Sequence, residues 1–201
     1  PDRHSLALLD ADAVDAASDE TLDALGDALF NDAYWFDQGG CSSPRLIVWA
    51  AGADVERARA RLRGAVDAAL RRRGYEAGTG AVIGKLVRGL RTAAAQDGVR
   101  VATASNEATW VELPDLSAYE REATGGGRFF EVVSKDLAAD LADFVGPRDQ
   151  TAACFGLAPD RVRELALTLN GRGVDRFVRL GRALEFDPTW DGYDLPQELV
   201  R

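Results

Sequence analysis

The segment "FNDAYWFDQGGCSSPRLIVW", residues 30 to 49, decides how the chain is read. It closes one regular element, turns over Gly39 and Gly40, sets Cys41 ahead of Ser42, Ser43 and Pro44, and enters the run "RLIVWA". That run is too short for an ordinary helix and rich in strand formers, which predicts a strand. Working backwards, Leu22, Leu25, Leu29, Ala33 and Phe36 recur every three or four positions behind Ser18, predicting a helix with a serine N-cap and an acidic first turn. Before it, "SLALLDA" reads as a short buried strand. Working forwards, Asp54 opens a helix whose Val55, Ala58, Leu62, Val66 and Leu70 form one apolar stripe, with arginines on the other faces, expected to be solvated.

The same alternation continues to the C-terminus. "RVATA", "ATWVEL" and "RFFEVV" read as strands within a stretch, Tyr75 to Gly127, whose pattern is otherwise weak; glycines 125 to 127 mark a turn. "SKDLAADLADFV" reads as a helix, "TAACFGLA" as a strand, "PDRVRELALTLNGRG" as a helix with Pro159 at its start, and "VDRFVRLG" as a strand. Strands alternating with helices predict one α/β domain, with helices and sheet in a three-layer arrangement.

The chain has 201 residues, with 24 Lys and Arg against 33 Asp and Glu, a net charge of −9. Nothing concentrates positive charge to neutralise phosphates, which argues against nucleic acid or an anionic membrane as partner. No apolar stretch reaches the roughly 18 residues that a bilayer span needs, so no membrane insertion is expected. Two widely separated cysteines and a single histidine, His4, give neither a disulfide framework nor zinc-ligand spacing, and a reducing cytoplasm is expected. The opening "PDRHSL" has no initiator Met and no signal-peptide pattern, and reads as the start of a fragment of a longer protein.

Cys41 admits two readings. Free backbone N–H groups beside a sulfur lower its pKa and hold an oxyanion; Gly39 and Gly40 permit the close approach, and Ser42, Ser43 and Pro44 suit the first turn of a short helix. A free cysteine also serves as a small buried hydrophobe. With one histidine, expected at the surface, no Cys-His-Asn arrangement can be assembled, which leaves a sulfur that forms a thioester and is resolved by something other than a base.

The segment from Phe30 to Trp49 resembles the nucleophile region of the luminescence-type (Lux-type) fatty acyl-CoA reductases, a branch of the aldehyde dehydrogenase superfamily; Gln38, Gly39, Cys41 and Arg45 echo the superfamily pattern. "VDRFVRLGRALEFDPTWDGYDL", Val174 to Leu195, is similar to the family's C-terminal segment, and "DRHSLALLDADAV" to the start of its catalytic region. The resemblance implies an aldehyde-dehydrogenase-like catalytic domain over residues 1–201. Cys41 would take the acyl group from an acyl-CoA or acyl-protein thioester, and NADPH or NADH would reduce it to an aldehyde. The family's dinucleotide-binding domain would be largely absent from this chain, since the glycines at 125 to 127 lead into a strand and not a helix. Neither Glu122 nor Glu131 sits in the family's ribose-binding motif. A homo-oligomer is compatible with the resemblance and not specified by it.

The remaining residues carry a structural reading beside the functional one. Gln38 and Ser42 either orient the cysteine loop or touch substrate, and Asp37 either contacts substrate or makes the turn. Asp187, Trp190, Asp191 and Tyr193 lie either at the substrate mouth or in a C-terminal strap that packs Trp190 into the core. Cys154 reads as a buried strand residue, and Arg71 to Arg73 as a surface cluster with coenzyme A phosphates as the alternative. Two other functions stay open: a thioester acyltransferase, and a non-catalytic binding or assembly module with an inert cysteine.

Overall fold

The computed structural model describes residues 3–103, 105–121, 126–190 and 193–200. In chain order its elements are β1 (His4–Asp10), α1 (Ala11–Asp15), α2 (Asp19–Ala33), β2 (Pro44–Ala50), α3 (Val55–Arg72), α4 (Thr79–Ala95), β3 (Arg100–Ala102) and β4 (Thr109–Glu112). A 3-10 turn (Leu116–Ala118), β5 (Arg128–Ser134), α5 (Leu137–Phe144), β6 (Asp149–Phe155), α6 (Pro159–Leu169) and β7 (Arg176–Arg179) follow. A small ribbon, β8 (Thr189–Trp190) with β9 (Tyr193–Asp194), and α7 (Leu195–Leu199) come last.

The main sheet runs β3-β4-β5-β2-β1-β6-β7 and is parallel throughout except for β3, which pairs antiparallel with β4 at one edge. Strands of a parallel sheet are buried on both faces and read as continuous apolar runs, which is why "SLALLD" and "RLIVWA" are strands. Alternate residues then divide between two cores. Ala7, Leu9, Ile47, Trp49, Trp110 and Phe129 pack against α1, α2 and α3. Leu6, Leu8, Leu46, Val48, Phe130 and Val132 pack against α5 and α6. The result is the expected α/β fold in three layers.

Ser18, Asp54 and Asp136 cap α2, α3 and α5 by accepting the backbone N–H of Thr21, Arg57 and Ala139. Gly26 lets α2 touch α3, since a Cβ there would lie 2.3 Å from the Ala65 carbonyl oxygen.

Two expectations need correction, and one helix has no counterpart among them. The arginine face of α3 is not simply solvated: Arg59 is buried, and Arg63 pairs with the carboxylates of Glu131 and, at 2.7 Å, Glu112. Helix α4 occupies the stretch whose pattern is weak; its glycines depress helix propensity, and Ile83, Leu86, Val87 and Leu90 lie exposed while Lys85 and Gly89 are buried. His4 is buried at the start of β1, with Nδ1 3.4 Å from Arg45 Nη1, and is not a surface residue.

Candidate active site at the amino edge of the sheet

Helix α2 ends at Ala33, and the chain then turns through Asp37 and Gln38, both left-handed with φ of 48° and 58°. A non-glycine residue held at positive φ is strained, so something must hold it there. Gln38 does so with every polar atom it has. Its N–H donates to the Ala33 carbonyl at 2.6 Å, and its own carbonyl accepts from Arg45 Nε and Nη2 at 3.3 and 3.0 Å. Its side-chain Nε2 donates to the carbonyls of Pro44 (3.1 Å) and Arg128 (2.9 Å), while Oε1 accepts the N–H of Arg128 at 3.0 Å. The fully buried amide thus ties the loop to the first residues of β2 and β5.

Cys41 follows at the second position of a β-turn closed by the Ser43 N–H donating to the Gly40 carbonyl at 3.1 Å. It is partly exposed, and its carbonyl accepts from Ser5 Oγ at 2.8 Å. Pro44 opens β2 directly, so Ser42, Ser43 and Pro44 do not start a helix, and the thiol does not sit at a helix N-terminus. The strand claims these residues because Pro44 and Leu46 pair with Ser5 and Leu6 of β1.

Ser42 is buried against β6 and β7, its Oγ 3.5 Å from Gln150 Nε2 and Thr151 Oγ1 and 3.4 Å from Arg176 Nη2. Arg176 also donates to the Ala183 carbonyl and lies under Trp190, its guanidinium carbon 4.0 Å from the ring centre. Trp190 stacks on exposed Phe186 and is only partly buried, so it packs on this arginine and not in the core. The C-terminal segment therefore reaches the cysteine loop through a chain of contacts from Trp190 to Arg176 to Ser42. Leu184 completes it: a Cβ on Gly40 would sit 3.1 Å from its Cδ2. Asp191 and Glu122 lie outside the described residues.

One residue of this assembly escapes sequence reasoning. Asp32, completely buried on α2, accepts the N–H groups of Gly181 (2.7 Å) and Ala183 (2.8 Å), which fixes the turn that delivers Leu184. Burial raises its pKa to about 6 despite those two donors.

Other candidates are drawn away from the loop. Glu131 is buried with Trp49 Nε1 donating to it at 3.0 Å, so it faces the interior. Arg72 and Arg73 pair with Asp23 and Asp27 of α2. Tyr75 donates to Asp37 Oδ1 at 2.5 Å, engaging that carboxylate in the turn. Burial pushes the Cys154 thiol up to about 12.

Ser5, Gln38, Cys41, Ser42, Arg128, Gln150, Thr151 and Arg176 lie where β1, β2, β5, β6 and β7 begin. In open parallel sheets ligands usually bind beyond the carboxyl ends of the strands. Cys41 at the amino edge departs from that rule. The chain is similar to methylmalonate-semialdehyde dehydrogenase from Oceanimonas doudoroffii, with 13% identity, 92% of this chain and 40% of that one covered, and TM-score 0.59. It is similar to a variant of 1-pyrroline-5-carboxylate dehydrogenase from Thermus thermophilus (12%, 95% and 40%, TM-score 0.59) and to an indole-3-acetaldehyde dehydrogenase in complex with NAD+ (14%, 93% and 39%, TM-score 0.56). The fold is that of the aldehyde dehydrogenases, and the chain spans about two-fifths of the length of these structures. A comparison with curated protein sequences finds no match. The sequence matches the family described as acyl-CoA reductase (LuxC) over residues 2–201, and the chain belongs to that family.

Proposed function

We propose that this chain is the thiol-bearing catalytic domain of a fatty acyl-CoA or acyl-protein thioester reductase, with Cys41 as nucleophile. The observation that carries the reading is the contrast within the loop: Gln38 and Ser42 are buried and engaged on every side, while Cys41 between them stands partly exposed at a turn tip. Rigid neighbours and one accessible sulfur suit attack on an electrophile.

The Cys41 thiolate attacks the thioester carbonyl, a new carbon–sulfur bond forms, and the carrier's sulfur leaves as thiolate with its electron pair. The oxyanion formed on the way is held in part by the backbone N–H of Cys41. Ser5 fixes the Cys41 carbonyl, which orients that peptide unit. Gln38 and Ser42 act as positioning residues, and Trp190 packs on Arg176, which in turn reaches Ser42.

Reduction of the acyl group to the aldehyde takes hydride from NADPH or NADH. Among the described residues no glycine-rich strand-to-helix turn is formed: β1 passes into α1 through Asp10, and β2 reaches α3 through Ala51 to Asp54. The dinucleotide-binding domain of the acyl-CoA reductase family is the proposed holder of that cofactor. Among the described residues no helix is long and apolar enough to cross a membrane. The free thiols suit a reducing cytoplasm.

The test is the intact mass of the full-length protein after exposure to a long-chain acyl-CoA. One acyl adduct is expected, retained in Cys154→Ala and lost in Cys41→Ala. A folded protein that gains no adduct overturns the reading and favours a module with an inert cysteine. An adduct that forms but gives no aldehyde with either reduced nicotinamide favours an acyltransferase.

A further inference from the structure

Beside the cysteine loop, between Asp37 and helix α4, lies a cavity of about 310 Å³ lined by Asp37, Gly80, Ala81, Gly84, Lys85, Arg88, Gly126 and Arg128. One wall is the loop itself and the first residues of β5; Gln38, which fixes Asp37, also bonds both backbone groups of Arg128. Asp37 is four residues from Cys41, so the two Cα atoms are at most about 14 Å apart. The other wall is the first half of α4. Among the described residues Lys85, Arg88 and Arg128 line this space together with Asp37, whose carboxylate accepts from Tyr75.

Two observations indicate that the cavity is made to receive an anion. Lys85 is only 3% exposed, yet among the described residues its ammonium donates to one protein acceptor, the Gly126 carbonyl at 2.7 Å. An ammonium has three donors, and burying it with one backbone acceptor is costly. That cost shows in its pKa, which burial lowers to about 8 even though Glu107 and Asp37 act to raise it. Gly80 and Gly84 supply the second observation. They stand one turn apart on the cavity side of α4, where glycine costs a helix about 1 kcal/mol each against alanine. Neither has a packing reason, since a Cβ at either would meet nothing within 4 Å. Their effect is to leave the space in front of Lys85 open.

We propose that this cavity binds a phosphoryl group of the thioester's carrier, either coenzyme A or a phosphopantetheine arm on a protein, so that the pantetheine reaches from α4 to Cys41. This rests on the reading of Cys41 as the acylated residue. Lys85 and Arg128 supply the buried charge, Arg88 the charge at the rim.

The experiment compares acylation rates of the full-length protein by long-chain acyl-CoA, by the same acyl group on a phosphopantetheinyl carrier protein, and by its N-acetylcysteamine thioester, which has no phosphate. Lys85→Gln removes the charge, and Gly84→Gln fills the cavity while favouring the helix. Each is expected to slow acylation by the phosphate-bearing thioesters about tenfold or more, as loss of a charge-assisted contact does, and to change the N-acetylcysteamine rate less than about twofold. A loss shared by both carriers assigns the phosphate next to the pantetheine; a loss confined to acyl-CoA assigns a nucleotide phosphate. Equal slowing with all three donors, no slowing with any, or weakened NADPH binding with acylation untouched overturns the proposal. Absence of acylation by every donor instead overturns the Cys41 reading, and this proposal with it.

Discussion

The Asp32 carboxylate accepts the N–H of Gly181 at 2.7 Å, joining the helix that leads to Cys41 to the turn that follows β7. Its other oxygen holds Ala183, and between them these bonds set Leu184 against Gly40. In Asp32→Asn one oxygen becomes an NH₂ that faces a backbone N–H, so a buried donor loses its acceptor. That substitution should cost about 1–3 kcal/mol in chemical denaturation. It should also slow acylation of Cys41 under conditions where the protein is still folded. A variant as stable and as reactive as the parent would show that Asp32 holds nothing.

The same carboxyl makes a pH prediction. Its pKa is raised by burial to about 6, against roughly 4 for an exposed aspartate. Below about pH 4 the group is protonated in both folded and unfolded chains. As pH rises toward 6 the unfolded chain ionises first, so the folded state holds the extra proton and loses stability, by up to roughly 3 kcal/mol, until both forms are ionised. Asp32→Asn lacks this slope. The stability gap between parent and variant should therefore be largest near pH 4 and shrink above pH 6. A gap independent of pH rules the assignment out.

Arg176 lies under the Trp190 ring at 4.0 Å while donating toward Ser42, Thr151 and Ala183. A lysine keeps the charge but has neither the planar face nor the fork that makes these contacts together. Arg176→Lys should lose about 1 kcal/mol, or roughly 2–4 °C in melting temperature for a chain of this size. Trp190 fluorescence should shift as its cover goes, and acylation of Cys41 should slow because Ser42 loses a neighbour. If melting falls while acylation holds, the guanidinium supports the strap and not the loop.

How far the sequence discloses this assembly depends on what each residue touches. The strands β1, β2, β5 and β6 are legible because both their faces are buried, which writes an unbroken apolar run into the chain. Cys41 between paired glycines and serines is legible as a turn. Helix α4 is not, because its apolar residues face outward and its buried positions are Lys85 and Gly89, the reverse of the pattern that marks an amphipathic helix. Asp32 is illegible for another reason: it is one of several acids on its helix, and its partners lie about 150 positions away. The helical start expected at Ser42 failed because pairing with β1 outweighs the local preference of a Ser-Ser-Pro sequence.

The two thiols should differ in reactivity. Cys154 lies in β6, where burial raises its pKa to about 12, so its thiolate is scarce at pH 8. Cys41 stands at the turn tip beside polar groups. Iodoacetamide at pH 8 should label Cys41 first, with Cys154 reacting more slowly because its thiolate is scarce, as peptide mapping over time would resolve. Prior labelling of Cys154 in the folded protein contradicts both the strand assignment and the choice of nucleophile.

Gln38→Glu changes one atom and no volume, which makes it the sharpest probe of the loop. The side-chain Nε2 of Gln38 donates to two carbonyl oxygens, of Pro44 and Arg128, inside a fully buried site. A carboxylate oxygen in that place donates nothing and repels both, so the group must either take up a proton or leave the site. The loss of two buried hydrogen bonds should cost about 2–4 kcal/mol near neutral pH. Part of it should return on acidification, since a protonated carboxyl regains one donor. Released from its bridge, the strained turn at Asp37 and Gln38 should relax and carry Cys41 with it, so acylation should drop sharply where circular dichroism still reports a folded chain. A Gln38→Glu protein that melts with the parent and acylates at the same rate would mean that the turn is held by Arg45 and the backbone alone.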